Sequence, residues 1–186
     1  LIDDARRYAR SRDVRARVHD IVLDSLERVP KGCRIVIVAH SLGSVIAANL
    51  IKSLPNNLVV SALITIGSPL GSVSEFRSRE LDDFPFDRLK AWVNVFEPRD
   101  PVTGSRGVCE YYRWAIDIPV TLQDWLPPVL FHQHGAQYYC AHPVVGSAIA
   151  GALVGSGLAT RAPGQSVEGL ELLLLHSLYL RELAKP

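Results

Sequence analysis

The sequence predicts an α/β fold, a parallel sheet flanked by helices. Residues 34–39 (RIVIVA) and 58–66 (LVVSALITI) are β-branched runs without alternation, the pattern of strands buried on both faces. Helical patterns precede and separate them, and the short connections suit right-handed crossovers within one sheet.

Taken in order, residues 2–28 read as helix, broken near Ser11. Val14, Val18, Ile21, Val22 and Leu26 recur at helical spacing between charges. Pro30-Lys31-Gly32 stops that helix, and the first strand follows at 34–39. Residues 43–53 are helical in composition and end near Pro55-Asn56-Asn57. The second strand, 58–66, closes at Gly67-Ser68-Pro69. Residues 72–88 are polar and mixed and predict an irregular excursion. Residues 90–96 (KAWVNVF) predict a third strand, 97–109 a loop, and 111–118 a fourth strand. Residues 119–142 carry Pro119, Pro127 and Pro128 with aromatics and three histidines, and 119–131 read as irregular. A small-residue helix is expected over 143–158 and a leucine-rich helix over 167–183.

The 186 residues suit one domain or part of one, and 48% hydrophobic against 21% charged residues is a globular balance. A net charge of +1 gives no general electrostatic argument for nucleic acid. The arginines of 6–17 are interleaved with Asp3, Asp4, Asp13 and Asp20, as on a solvated helix face. Cys33, Cys109 and Cys140 form no close pair, which argues against zinc and against a CxxC redox motif. So sparse a set favours reduced thiols and, with them, a cytoplasmic setting. The chain has no methionine and opens inside a helical pattern, so it is expected to be a piece of a longer protein.

The chemistry concentrates at Ala39-His40-Ser41-Leu42-Gly43. A buried strand passes here into a helix with almost no loop. The residue at the apex must accept strained dihedrals, and small neighbours avoid clashes. This is the G-x-S-x-G elbow pattern with Ala39 in place of the first glycine. Such a turn lifts the Ser41 hydroxyl above the carboxyl end of the sheet. It also aims the free N–H groups of a helix start at the same space, making the Leu42 backbone N–H a candidate oxyanion donor. The plainer alternative is a strand-to-helix turn with serine near the N-cap. A serine nucleophile needs a base, and the base an orienting acid. Asp100 lies just beyond the third strand, on a loop at the expected edge, stiffened by Pro101; Glu97 is nearer the strand end. His132, His134 and His142 compete as the base, and His142 before Pro143 also fits a capping role.

Val38 to Ile46, then Thr65-Ile66-Gly67-Ser68-Pro69-Leu70-Gly71, then Trp92 to Phe96 leading to Asp100-Pro101-Val102, together resemble the α/β-hydrolase superfamily. The likeness is to its lipase-like and esterase-like serine hydrolases, over roughly residues 14 to 155. The resemblance implies an acyl-ester hydrolase with a Ser-acid-His triad in that chain order. It implies Ser41 as nucleophile, Asp100 through its Asp-Pro-Val pattern, and His134 through HGAQYY, a histidine followed by small residues and an aromatic such as Tyr138. His142, His132 and Glu97 stay as alternates. His40 and Ser68 are expected to line the substrate site. Gly67 to Gly71 lacks the Gly-Lys-Ser/Thr ending of a P-loop and reads as a turn. In the superfamily the second oxyanion donor follows an earlier strand. The chain is therefore expected to be the C-terminal portion of the fold, with a partner domain or chain supplying the N-terminal part.

No cofactor or metal is expected. The expected partner is a small-molecule or lipid ester, with no nucleic acid. Residues 119–131 are apolar and suit either a lid or core cover. Residues 143–160 carry no charge, but the span is short and glycine-bearing, so a helix packed on the sheet is expected over a membrane span. Contact with a membrane surface stays open. Two further readings stand beside the hydrolase: a noncatalytic module of the same fold, and an acyltransferase.

Overall fold

The computed structural model describes residues 2–30, 32–55, 57–77, 88–122 and 132–154. Four strands, β1 (Arg34–His40), β2 (Val59–Ile66), β3 (Trp92–Phe96) and β4 (Ala115–Pro119), form one sheet in the order β1-β2-β3-β4. Every pairing is parallel. The helices are α1 (Ile2–Arg10), α2 (Arg12–Glu27), α3 (Leu42–Leu50), α4 (Ala136–Ala141) and α5 (Pro143–Val154). The chain is thus of the α/β class with flanking helices, as the apolar runs predict.

The sheet is covered on both faces because successive side chains of each strand point opposite ways. On one face Leu63, Val60, Ala39 and Trp92 pack with Val45 and Ala48 of α3, together with Tyr8, Leu70, Val108 and Tyr112. Half-buried Val18, Leu23 and Leu26 of α2 close over that cluster. On the other face Ile64, Ile66, Val93, Val95 and Ile118 meet Val144, Val145, Ala148 and Ala152 of α5, and Tyr139 of α4. The small-residue helix does pack on the sheet. Among the described residues no helix is long and apolar enough to cross a membrane.

Several boundaries differ from expectation, each for a local reason. The break at Ser11 is real: it takes extended dihedrals and its side chain accepts the Val14 N–H at 3.3 Å as N-cap of α2. β4 starts at Ala115, not 111, because residues 108–115 are turned by the bonds Tyr111 N–H to Val108 O and Ala115 N–H to Tyr112 O. Helix α4 lies in the 119–142 stretch, for which the sequence predicts no helix. Its segment carries no proline, and the Tyr138 N–H closes its first turn on the Gly135 carbonyl. Strand β1 is not buried on both faces. Among the described residues it pairs with β2 alone, Ile35 to Ile37 are half-buried, and Val38 is 42% exposed. Residues 78–87, most of the 119–131 stretch, 155–158 and the expected helix 167–183 lie outside the described residues.

One polar chain crosses the sheet. Trp92 Nε1–H donates to Thr65 Oγ1 at 3.0 Å, the Thr65 hydroxyl to Asn94 Oδ1 at 2.8 Å, and Asn94 Nδ2–H to Asp117 Oδ1 at 2.8 Å. Asp117 also accepts the N–H groups of Val108 (2.9 Å) and Cys109 (2.8 Å), so it anchors the loop before β4. A Cβ on Gly107 would collide with this carboxylate, which explains glycine there. Asp117→Ala leaves these donors without their acceptor and is expected to cost about 2–3 kcal/mol in urea unfolding. A midpoint equal to wild type would show the anchor to be dispensable.

Candidate active site

Parallel register brings the ends of three strands to one level. His40 is opposite Ile66, and Ile66 opposite Val95. Ser41, Gly67 and the loop after Phe96 therefore leave the sheet side by side. The Ser41 N–H donates to the Ile66 carbonyl at 3.1 Å, and the Gly67 N–H to the Val95 carbonyl at 3.1 Å. Past these last bonds the backbone turns sharply.

Ser41 sits at φ 54°, ψ −127°, a strained conformation for a residue with a Cβ. Its neighbours hold it there. The Ser41 carbonyl accepts the Ser44 N–H (2.9 Å) and the Ser44 hydroxyl (2.6 Å). With that proton committed, the Ser68 hydroxyl must donate to Ser44 Oγ at 2.7 Å, and Ser68 Oγ accepts the Leu70 N–H at 3.3 Å. Ser68, expected to line the substrate site, is thus engaged within the turn. It is 1% exposed and braces the elbow through Ser44. Leu42 is the first residue of α3, one of those whose N–H has no acceptor inside the helix. Ala39 is buried, as a tight turn requires. Gly43 is not forced by crowding, since a Cβ there would meet nothing within 4 Å among the described residues.

His134 ends a 3₁₀ turn, His132–His134, and its ring spans the serine and a carboxylate. His134 Nδ1 lies 2.9 Å from Asp100 Oδ2, and Nε2 lies 2.7 Å from Ser41 Oγ. A carboxylate accepts, so Nδ1 carries the proton of the neutral ring, and Nε2 accepts from the Ser41 hydroxyl. Asp100 is 1% exposed, His134 6% and Ser41 8%. Asp100 stays satisfied at that depth because Oδ1 accepts the Val102 N–H at 2.9 Å and Oδ2 also accepts the Tyr139 hydroxyl at 2.8 Å. Tyr139 Oη in turn accepts the Glu97 N–H at 3.0 Å. Burial, and then the Asp100 charge, push the Tyr139 phenol's pKa up, so it remains a donor.

The alternates go elsewhere. Glu97 is buried, but its Oε1 accepts from Arg99 N and Nε, and its Oε2 from Arg99 Nη2 and the Leu122 N–H. It ties the loop after β3 to the chain leaving β4 and does not touch His134. His142 Nδ1 accepts the Val144 N–H at 3.3 Å, the capping role that its place before Pro143 suggested. His132 opens the turn that His134 ends. His40, expected to line the substrate site, is half-buried, and its Nε2 is 2.8 Å from the His134 carbonyl oxygen.

Two residues at the site, Tyr139 and Gly67, stand in segments the sequence singles out, HGAQYY and the turn after the second strand, but are assigned no role of their own there. Tyr139 follows Tyr138, the aromatic expected to matter; α4 turns Tyr139 inward, while half-buried Tyr138 packs against the core cluster beside α5. Gly67 has φ 56°, and a Cβ there would come within 3.0 Å of the Tyr139 ring and 3.3 Å of both Asp100 Oδ2 and His134 Nδ1. Its place directly after an apolar strand was the available signal.

Away from this site, a cavity of about 380 Å³ lies between α1, α2, α3 and residues 75–77. Its arginines are engaged by main chain. Arg15 donates to the Tyr8 and Ala9 carbonyls, and Arg77 to those of Leu70 and Gly71 while stacking on Tyr111. Among the described residues, no group of three or more His, Cys, Asp or Glu side chains is arranged to hold a metal ion. Comparison with protein-family models, with curated proteins and with solved structures finds no match to this chain.

Gly67→Ala places a methyl group against the Asp100–His134 contact in a backbone conformation that disfavours it. The expected cost is about 1–3 kcal/mol in urea unfolding, together with a longer His134–Asp100 distance in a structure of the variant. Retention of both would show that the room at Gly67 is not needed.

Burial holds the His142 pKa below its ordinary 6.5, and burial followed by the His134 charge does the same for His40. Each then binds its proton more tightly in the unfolded chain. Their contribution to stability is present above pH 6.5 and is lost as the pH falls from there toward the lowered folded values. The urea midpoint should drop over that window. His142→Asn keeps a capping side chain without the titration and should flatten the drop.

Proposed function

We propose that the protein is a serine hydrolase of carboxylic esters, and that its sheet and helices are those of an α/β-hydrolase fold. One observation carries this reading: an unbroken hydrogen-bonded series from Ser41 Oγ through His134 to Asp100, assembled from residues 93 and 34 positions apart. Its support includes the strained serine between a parallel strand and a helix, and the chain order serine, aspartate, histidine. The lipid-like class of acyl ester rests on the resemblance of Val38 to Ile46 and the segments after it.

In the proposed reaction, Ser41 Oγ attacks the acyl carbon while its proton passes to His134 Nε2. Asp100 holds the ring in the Nδ1–H tautomer and stabilises the imidazolium. The charge developing on the carbonyl oxygen faces the N-terminal end of α3, where the Leu42 N–H donates. His134 returns the proton to the leaving alcohol. Water then gives a proton to His134 and attacks the acyl-enzyme, releasing the acid and restoring the serine hydroxyl.

A fluorophosphonate probe should label the wild-type protein and not Ser41→Ala. Hydrolysis of a p-nitrophenyl ester should fall by about 10³-fold or more in that variant. Absence of labelling in the wild type would sink the proposal in favour of a noncatalytic module. Ester products formed only with an added alcohol would turn it into an acyltransferase.

A further inference from the structure

His40 is a titratable side chain beside Ser41 that the proposed reaction leaves unused, yet it touches the proposed base twice. It ends β1 and immediately precedes Ser41. Its Nε2 is 2.8 Å from the His134 carbonyl oxygen, and its ring lies 4.6 Å from the His134 ring between centroids, tilted by 34°. A carbonyl oxygen only accepts, so Nε2 carries the proton in the neutral ring.

We infer that His40 is a positioning residue for His134, tying the base's main chain to the nucleophile's neighbour and backing the base's ring. The inference rests on the serine-hydrolase reading. The bonds to Ser41 and Asp100 leave from opposite sides of the His134 ring and hold it within its own plane. They resist tilting about the line between them poorly. His40 supplies that restraint through contact with the ring face. Its bond to the carbonyl sets where the His134 backbone sits, on a turn of only three residues with Gly135 beyond it. Placement matters at this level, since a shift of about 1 Å in a reacting group can cost on the order of 10²-fold in rate.

Charge adds a second consequence. The titratable groups facing His40 are His134 from the 132–134 turn, Asp100 from the loop after β3, and Tyr139 from α4, its ring 6.1 Å away. Burial and then the His134 charge lower the His40 pKa, against a smaller upward pull from the carbonyl bond and Asp100. Near neutrality His40 is therefore an uncharged ring against His134. Once protonated, it opposes the imidazolium that His134 must become when it accepts the Ser41 proton. Acid then weakens the site through the proton on the His40 ring.

The test is the rate of Ser41 labelling by a fluorophosphonate probe across about pH 5 to 8, the range of histidine titration. His40→Gln keeps an N–H donor but neither ring nor charge, and His40→Ala keeps none of them. At neutral pH His40→Ala should label about tenfold or more slowly, with His40→Gln recovering much of the loss. The acid limb of His40→Gln should be shallower than that of the wild type. Circular dichroism checks the fold of both, and the slope for His40→Gln decides the matter if His40→Ala does not fold. Wild-type labelling rates in His40→Ala, or an acid limb as steep in His40→Gln as in the wild type, overturn the inference while leaving the hydrolase reading intact. An unlabelled wild type overturns that reading itself.

Discussion

Ser41 holds a positive φ because the chain is fastened immediately on either side of it. Before the turn, β1 is in register with β2 up to His40 and Ile66, and the Ser41 N–H makes one further bond to the Ile66 carbonyl. After the turn, the Ser41 carbonyl is held by two donors from Ser44. Strain of the order of 1–3 kcal/mol persists only where its surroundings over-determine it. Here the surroundings are the carboxyl end of β1 and the first turns of α3, which pack in one core cluster through Ala39, Val45 and Ala48. The Leu70–Ser68–Ser44 series ties that brace to the next strand's exit, so the elbow cannot relax without moving β2 as well.

The same strand ends explain how a carboxylate survives at 1% exposure. Isolated, it would be costly to bury. Asp100 instead has three donors of different origin: a backbone N–H two residues on, a phenol from α4 and an imidazole from the 132–134 turn. Gly67 leaves the volume in which the last two meet. Tyr139 faces both ways. It donates to Asp100 and accepts from the backbone of Glu97, while the Glu97 side chain holds Arg99 and the Leu122 N–H. Two neighbouring acids thus have separate tasks: Asp100 faces the histidine, and Glu97 secures the loop that carries Asp100.

Local pattern made much of this legible. The strands of 34–39 and 58–66, the break at Ser11 and the elbow at Ser41 are each written in a few adjacent residues. His134 and Asp100 needed more, because proximity across 34 positions leaves no local trace; the likeness to a known motif order supplied it. What stayed hidden depends on direction in space. Tyr138 and Tyr139 are chemically alike in sequence, and only the pitch of α4 decides which phenol reaches Asp100. Ser68 looked like a pocket residue because it follows a strand, yet its side chain turns back toward α3. The exposure of Val38 depends on which strands flank β1, a property of the sheet and not of the run of β-branched residues.

Gly67 and Ser41 are the two positive-φ residues that follow neighbouring strands at this edge, and they solve opposite problems. Gly67 needs the conformation and has no Cβ because a side chain there would occupy the space of the Asp100–His134 contact. At Ser41 the conformation is unfavourable and a side chain is nevertheless present, directed at His134. Glycine at that apex would relieve the strain but leave His134 Nε2 without its bond to Ser41 Oγ. The Ser41 hydroxyl is accounted for by that bond, which distinguishes the turn from a serine helix cap. The geometry agrees, since the Ser41 side chain makes no capping bond to α3.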